Sequence, residues 1–236
     1  YYSMMALPHN LIGISLTNSA PLGVPTLAKS MFIGTNPISV AVPTNKERPW
    51  VLDMATTTVP RGKLEVYRRA GKKMPMMWAT DANGIPTDDP APVLQNMLDR
   101  VGGGLLPLGG GTEETGGHKG YGLSMLVDIL SGVLSGGSYG LNVYGKGKQA
   151  PADVCHFFGA IDPTCFVPYE QFTQTMDNYI QDLHNMEKAD GQDRIWVHGE
   201  KEWLKQESQT EQVAIEQSVI DTMKGIADEL GMEFPF

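Results

Sequence analysis

Four short segments of this 236-residue sequence carry residue types that can do chemistry as well as packing. Leu16-Thr17-Asn18-Ser19 places two hydroxyls and an amide directly after a buried-strand pattern, where they can face a cleft beyond a sheet edge. The same residues are ordinary in a strand-ending turn. Val51-Leu52-Asp53-Met54-Ala55-Thr56 sets a carboxylate in an otherwise apolar strand. A buried Asp there must be paired or hydrogen-bonded, so it is expected to accept from backbone amides, a cation, or a ligand's hydroxyl or amide groups. A turn-capping Asp is the simpler alternative.

The third segment runs from Leu105 to Thr112 and from Gly116 to Gly122, and passes at once into an apolar helix pattern. Glycines let a backbone approach a phosphate, and a helix N-terminus offers free N–H groups and positive potential. Lys119 stands where its ammonium can reach such a phosphate. It is not a Walker A loop, because Gly120 occupies the position that needs Ser or Thr. Nor does it match GxGxxG followed by a ribose-binding acid. The fourth segment, Val197-His198-Gly199-Glu200-Lys201-Glu202, is a charged turn expected at the end of a strand.

These segments need elements to position them. Leu11–Leu16, Pro37–Val42 and Trp50–Ala55 read as strands separated by turn residues, and the short spacing argues for a sheet core. Arg61–Arg69 is helix-compatible with Pro60 at its start, and Lys72–Pro92 reads as a surface connection rich in Pro, Asp and Met. His156–Phe166 reads as a strand centred on Phe157–Ile161. Tyr169–Met186 reads as an amphipathic helix, Arg194–Val197 as a strand, and Glu211–Leu230 as a last helix with a capping box at Ser208-Gln209-Thr210-Glu211. The glycines between Ser135 and Ala152 imply a flexible loop. Tyr1–Leu7 reads as the middle of an apolar helix and implies chain upstream.

Composition limits the partners. Eighteen Lys plus Arg against 27 Asp plus Glu give a net charge of −9, which argues against nucleic acid or anionic lipid as a general partner. The longest apolar run, Tyr121–Leu134, contains Asp128 and is too short to cross a bilayer. Two cysteines make neither a disulfide framework nor a zinc pattern, and a reducing, cytoplasmic compartment is expected.

Taken together and in this order, TNS, LDMAT, HKGYGL and GEKE resemble the malate/L-lactate dehydrogenase family, which also holds ureidoglycolate, sulfolactate and imino-acid enzymes. Gly34-Thr35-Asn36-Pro37 and Arg61-Gly62-Lys63 fall between the motifs as they do in that family. The resemblance implies an α/β fold, a layered mixed β-sheet with flanking helices, distinct from the Rossmann fold. It further implies a cofactor-binding sheet domain over 1–206, a C-terminal helix over 207–236 packing back on the fold, and a homodimer. The cofactor is NAD or NADP, with Ser19, Asp53, Met54, Ala55, Lys119, Gly199, Glu200 and Lys201 as its contacts. Two departures stand out: His198 where the family usually has Pro, and a long loop from Gly111 to Gly117.

The implied reaction moves a hydride between the cofactor and a 2-hydroxy or 2-oxo acid, most simply malate and oxaloacetate. It needs a general acid for the carbonyl oxygen, and an imidazole suits that role near neutral pH. The family's catalytic His is expected just upstream of Tyr1, so no catalytic residue is assigned within the chain and no metal is implied. An imino-acid reductase of the same family is the rival reading. A nucleotide-binding fragment without turnover is the alternative from another class.

Overall fold

In a computed structural model, residues 1–144, 151–208 and 215–234 are described. They fall into two compact units, 1–199 and 200–236.

The first unit is built around a four-stranded sheet of β1 (Ile12–Thr17), β2 (Ile38–Val42), β3 (Trp50–Met54) and β6 (His156–Ile161), in the order β3-β2-β1-β6. Every pairing in it is antiparallel, which corrects the expectation of a mixed sheet. The connections explain this. β2 and β3 are joined by the short turn around Asn45–Arg48, and such a turn can link only antiparallel neighbours.

Antiparallel register also fixes which side chains share a face. Asp53 pairs with Ser39, Ser39 with Ser15, and Ser15 with Phe158, while Thr17 pairs with His156. All of these project to one side of the sheet, because directly opposed residues point the same way. A 3₁₀ helix, Ser3–His9, packs on the middle of that side. The Ser3 and Ser39 hydroxyls meet at 2.7 Å, and a Cβ on Gly13 would overlap the Ser3 carbonyl oxygen. Where the sequence suggested an apolar helix, Ser3–His9 is wound as a 3₁₀ helix, stopped at Asn10 in the left-handed region (φ 61°).

The main apolar core lies elsewhere. Leu64 of α1 (Arg61–Arg69) and Val93, Leu94 and Met97 of α2 (Pro90–Asp99) cluster with Val24, Met31, Val59, Met74, Ala79 and Leu105. The last two belong to a small antiparallel pair, β4 (Ala79–Thr80) and β5 (Gly104–Leu105). Lys72–Pro92 therefore supplies buried residues as well as surface. Its prolines and acids read as a loop, yet Asp89 caps α2 by accepting from Ala91 N–H at 3.1 Å, and Pro90 takes the first turn, where its missing N–H costs nothing.

Helix α3 (Gly117–Asp128) continues into a π-helical turn, Ile129–Val133, and α4 (Tyr169–Asn185) follows β6. Asp177 of α4, 1% exposed, accepts from the N–H groups of Asn45, Lys46 and Glu47 at 3.1, 2.8 and 3.2 Å. It thereby fastens the β2–β3 turn. Arg194–Val197 forms no strand; one bond, Val51 N–H to the His198 carbonyl at 3.2 Å, holds His198 and Gly199 against β3.

The second unit holds α5 (Glu200–Ser208) and α6 (Gln217–Leu230), the latter ended by Gly231 at φ 64°. The expected last helix is seen from Gln217 onward. Most of the capping box, and Gly145 and Gly147, lie outside the described residues.

Candidate active site

One end of the sheet collects most of the chemistry-bearing segments. β1 ends at Thr17 and leads to Asn18 and Ser19, β2 begins after Gly34–Pro37, β3 ends at Met54 and leads to Ala55 and Thr56, and β6 begins at His156. The register Leu16↔Ile38↔Met54 and Thr17↔His156 puts these termini side by side.

Two buried amides, each 0% exposed, lock them together. Asn36 accepts from Ser19 N–H at 3.0 Å and donates to the Ser124 carbonyl of α3 at 2.9 Å. Asn18 donates to the Ser138 carbonyl and accepts from Cys155 N–H, both at 2.8 Å. The Ser19 hydroxyl oxygen accepts from Thr35 N–H at 3.0 Å and meets the Thr35 hydroxyl at 3.0 Å. Thr56 donates through its hydroxyl to the Thr35 carbonyl at 3.0 Å, and its own carbonyl accepts from Leu108 N–H at 3.0 Å. The last bond ties the start of the glycine-rich loop to the sheet end, so Ser19, Met54, Ala55 and the loop leading to Lys119 form one connected set. Asn36 was visible in the sequence only as part of Gly34–Pro37, and nothing in that spacing announced its bridging role.

Asp53 departs from expectation. It is exposed, on the outer strand β3, and its carboxylate bonds to none of the described residues. The apolar neighbours that suggested burial, Leu52 and Met54, point to the opposite side of the strand. An unengaged carboxylate is free to meet a ligand.

The glycines near Lys119 do two different things. A Cβ on Gly117 would overlap the Gly110 carbonyl oxygen, and one on Gly120 the Leu108 carbonyl oxygen, so both serve close packing of α3 on its own loop. Gly116, at φ 84°, makes the turn into the helix, and Gly122 has open space around it. Lys119 is exposed beside Gly116 and forms no ion pair with a described residue. The loop also carries exposed Glu113 and Glu114, the latter held below the usual carboxylate range by its own backbone N–H and the Thr112 hydroxyl. Gly199, at φ 93°, lies against Val51, two residues from Asp53 along β3. Glu200 and Lys201 belong to the second unit and open α5.

A buried carboxyl that the sequence reading did not single out, Asp128, stands at the junction of α3 and its π turn, 7% exposed. Burial pushes it above the ordinary carboxylate range, against the pull of the Asn18 amide, the Gly140 N–H and the Asn36 amide. Its Oδ2 accepts from Gly140 N–H at 3.4 Å, while Oδ1 and the Ser131 hydroxyl have no hydrogen-bond partner among the described residues. Among the described residues no group of three or more His, Cys, Asp or Glu is placed to hold a metal ion. No helix among them is long and apolar enough to cross a membrane.

An antiparallel sheet with flanking helices, a glycine-lined helix start, and a Lys119 ammonium and Asp53 carboxylate that pair with none of the described residues make up the candidate site. The chain belongs to the malate/L-lactate dehydrogenase family, whose model matches residues 1–224. It is 45% identical over 234 residues to a malate dehydrogenase of Pyrococcus horikoshii, covering 99% of this chain and 63% of that protein. It is 35% identical to a malate/(S)-sulfolactate dehydrogenase of Methanothermus fervidus, with 99% and 63% covered. The crystal structure of malate dehydrogenase from Entamoeba histolytica superposes with a TM-score of 0.91 at 33% identity, covering 100% of this chain and 66% of that one. The chain spans a little under two thirds of the length of these relatives.

Proposed function

We propose that this chain is the cofactor-binding part of an NAD(P)-dependent dehydrogenase that interconverts 2-hydroxy and 2-oxo acids, with malate and oxaloacetate as the first pair to test. The observation that carries this reading is the bonded chain Ser19–Asn36–Thr35–Thr56–Leu108. It gathers three of the four motifs at one end of an antiparallel sheet. The fold that holds the cofactor is then not the parallel, doubly wound Rossmann sheet.

The residues present suit a dinucleotide. Lys119 offers a cation to a pyrophosphate and Asp53 an acceptor to a hydroxyl or carboxamide, while Met54 and Ala55, at the same strand end as Asp53, are assigned to the cofactor on the family motif. Gly199, Glu200 and Lys201 are assigned to the same cofactor on the family motif. When bound, the nicotinamide supplies or takes the hydride; the proton goes to or comes from the carbonyl oxygen by way of an acid–base group. The chain's own part is to hold the cofactor's charged and polar groups, so that binding energy orients the reacting carbon.

The two most similar relatives described above act, by their names, on malate and on sulfolactate. Both are 2-hydroxy acids with a second anionic group, and we extend that substrate class to this chain. A homodimer and a reducing, cytoplasmic setting complete the reading; Cys155 and Cys165 are free thiols. The test is oxidation of NADH and NADPH by the full-length protein with oxaloacetate, pyruvate, sulfopyruvate and cyclic imino acids. Turnover fastest with a dianionic 2-oxo acid supports the proposal. Preference for a cyclic imine would make the protein an imino-acid reductase, and no turnover with any of them would leave only nucleotide binding.

A further inference from the structure

His156 is not used by the reading above, and its setting is unlike that of a packing residue. It is exposed, it opens β6, and it pairs in register with Thr17, two residues before Ser19. Its backbone neighbour Cys155 exchanges two bonds with Asn18, so the imidazole is carried by the same strand-end clamp that holds the cofactor motif. The ring is also oriented. Its Nδ1 lies 2.9 Å from the Thr17 hydroxyl, and its plane stacks at 23° on Phe158, whose other neighbour is Tyr2 at 5.6 Å between ring centroids.

The Thr17 contact occupies Nδ1 and leaves Nε2 for a ligand. With the Thr17 hydroxyl donating to Nδ1, the neutral ring is the Nε2–H tautomer; as an imidazolium both nitrogens donate. In both of these states Nε2 carries an N–H, which meets no partner among the described residues. His156 and Asp53 project to the same side of the sheet from its two outer strands, with the cofactor motifs at the end between them. A fixed donor on an aromatic shelf, at the rim of a site for small organic acids, suits a carboxylate.

We propose that His156 receives a carboxylate of the substrate through Nε2, with Thr17 and Phe158 holding the ring in place. This rests on the dehydrogenase reading. The test uses the full-length protein, with KM and kcat measured for oxaloacetate and for pyruvate, and KM measured for the reduced cofactor. His156→Phe should raise the KM of oxaloacetate about tenfold or more, the fold-change of one lost hydrogen bond to a charged group, with kcat and cofactor KM within about twofold. His156→Gln, which keeps an N–H donor, should recover part of the loss and guards against a misfolded Phe variant.

A rise for oxaloacetate alone assigns His156 to the second carboxylate; a rise for both acids assigns it to the carboxylate they share. An unchanged KM for both, or a rise confined to the cofactor, overturns the inference while leaving the dehydrogenase reading intact. Absence of turnover in the parent protein overturns that reading and the inference with it.

Discussion

Gly120, in the first turn of α3, sits so close to the glycine-rich loop that a methyl group on it would overlap the Leu108 carbonyl oxygen and come within 2.8 Å of Leu108 Cα. Leu108 is also the residue whose N–H reaches Thr56 at the sheet end. The helix start, the loop and the strand end are therefore one packed unit. Two residues on, Gly122 has nothing within 4 Å of its would-be Cβ. Gly120→Ala should lose about 1–3 kcal/mol to overpacking or more, whereas Gly122→Ala should gain up to about 1 kcal/mol from helix propensity alone. Urea denaturation of the two variants checks the contrast, and equal shifts would refute it.

Lys119 and Asp53 are exposed and bonded to no described residue, so their removal should be felt in ligand binding and not in folding. Lys119→Ala is expected to weaken NAD(P)H binding about tenfold to a hundredfold, the scale of charge-assisted bonds, and less so as salt screens an exposed charge. Asp53→Ala should weaken it too, with a melting temperature close to the parent's. Fluorescence titration of the cofactor measures both. Unchanged affinity in either variant removes that residue from the site.

Asp177 should behave in the opposite way. Its carboxylate holds three N–H groups of the β2–β3 turn, and Gln181 on the same helix reaches Glu47 of that turn at 3.2 Å. Asp177→Ala should cost about 2–4 kcal/mol in denaturant unfolding, because three N–H groups lose a charged acceptor and a buried site is left half-filled. Asp177→Asn, which keeps one oxygen acceptor, should cost less. A wild-type midpoint in the alanine variant would show that the turn is held by other means.

The elements nearest the site were legible because their signals are local. Short apolar runs bounded by turn residues marked β1, β2 and β3, Pro60 marked the start of α1, and two of the chemistry-bearing segments, at Thr17–Ser19 and Asp53–Thr56, fell at strand ends. What escaped was whatever depends on partners distant in sequence. Whether Asp53 faces the core or solvent is decided by which neighbours cover β3, and its apolar flanks belong to the other side of the strand. Helix α2 was hidden behind Pro90 and Pro92, which read as loop until Asp89 is seen to cap it. Asn36 and Asp177 act across 88 and 132 residues respectively, and no periodicity records such a span.

Asp128 supplies a pH test of the buried cluster beneath the site. Burial raises its carboxyl above the ordinary range, so the folded protein keeps this proton at a pH where the unfolded chain has released it. The native state then binds more protons than the unfolded state, and this group's contribution to stability falls as pH rises from the ordinary Asp value of about 3.9 through the raised one. Asn at this position cannot titrate. The melting temperature of the parent minus that of Asp128→Asn should therefore increase as pH is lowered from 7, and level off below about 3.9, where both folded and unfolded carboxyls are protonated. A difference that stays flat, or that increases with rising pH, would mean that the amides of Asn18 and Asn36 and the Gly140 N–H outweigh burial and hold Asp128 as a carboxylate.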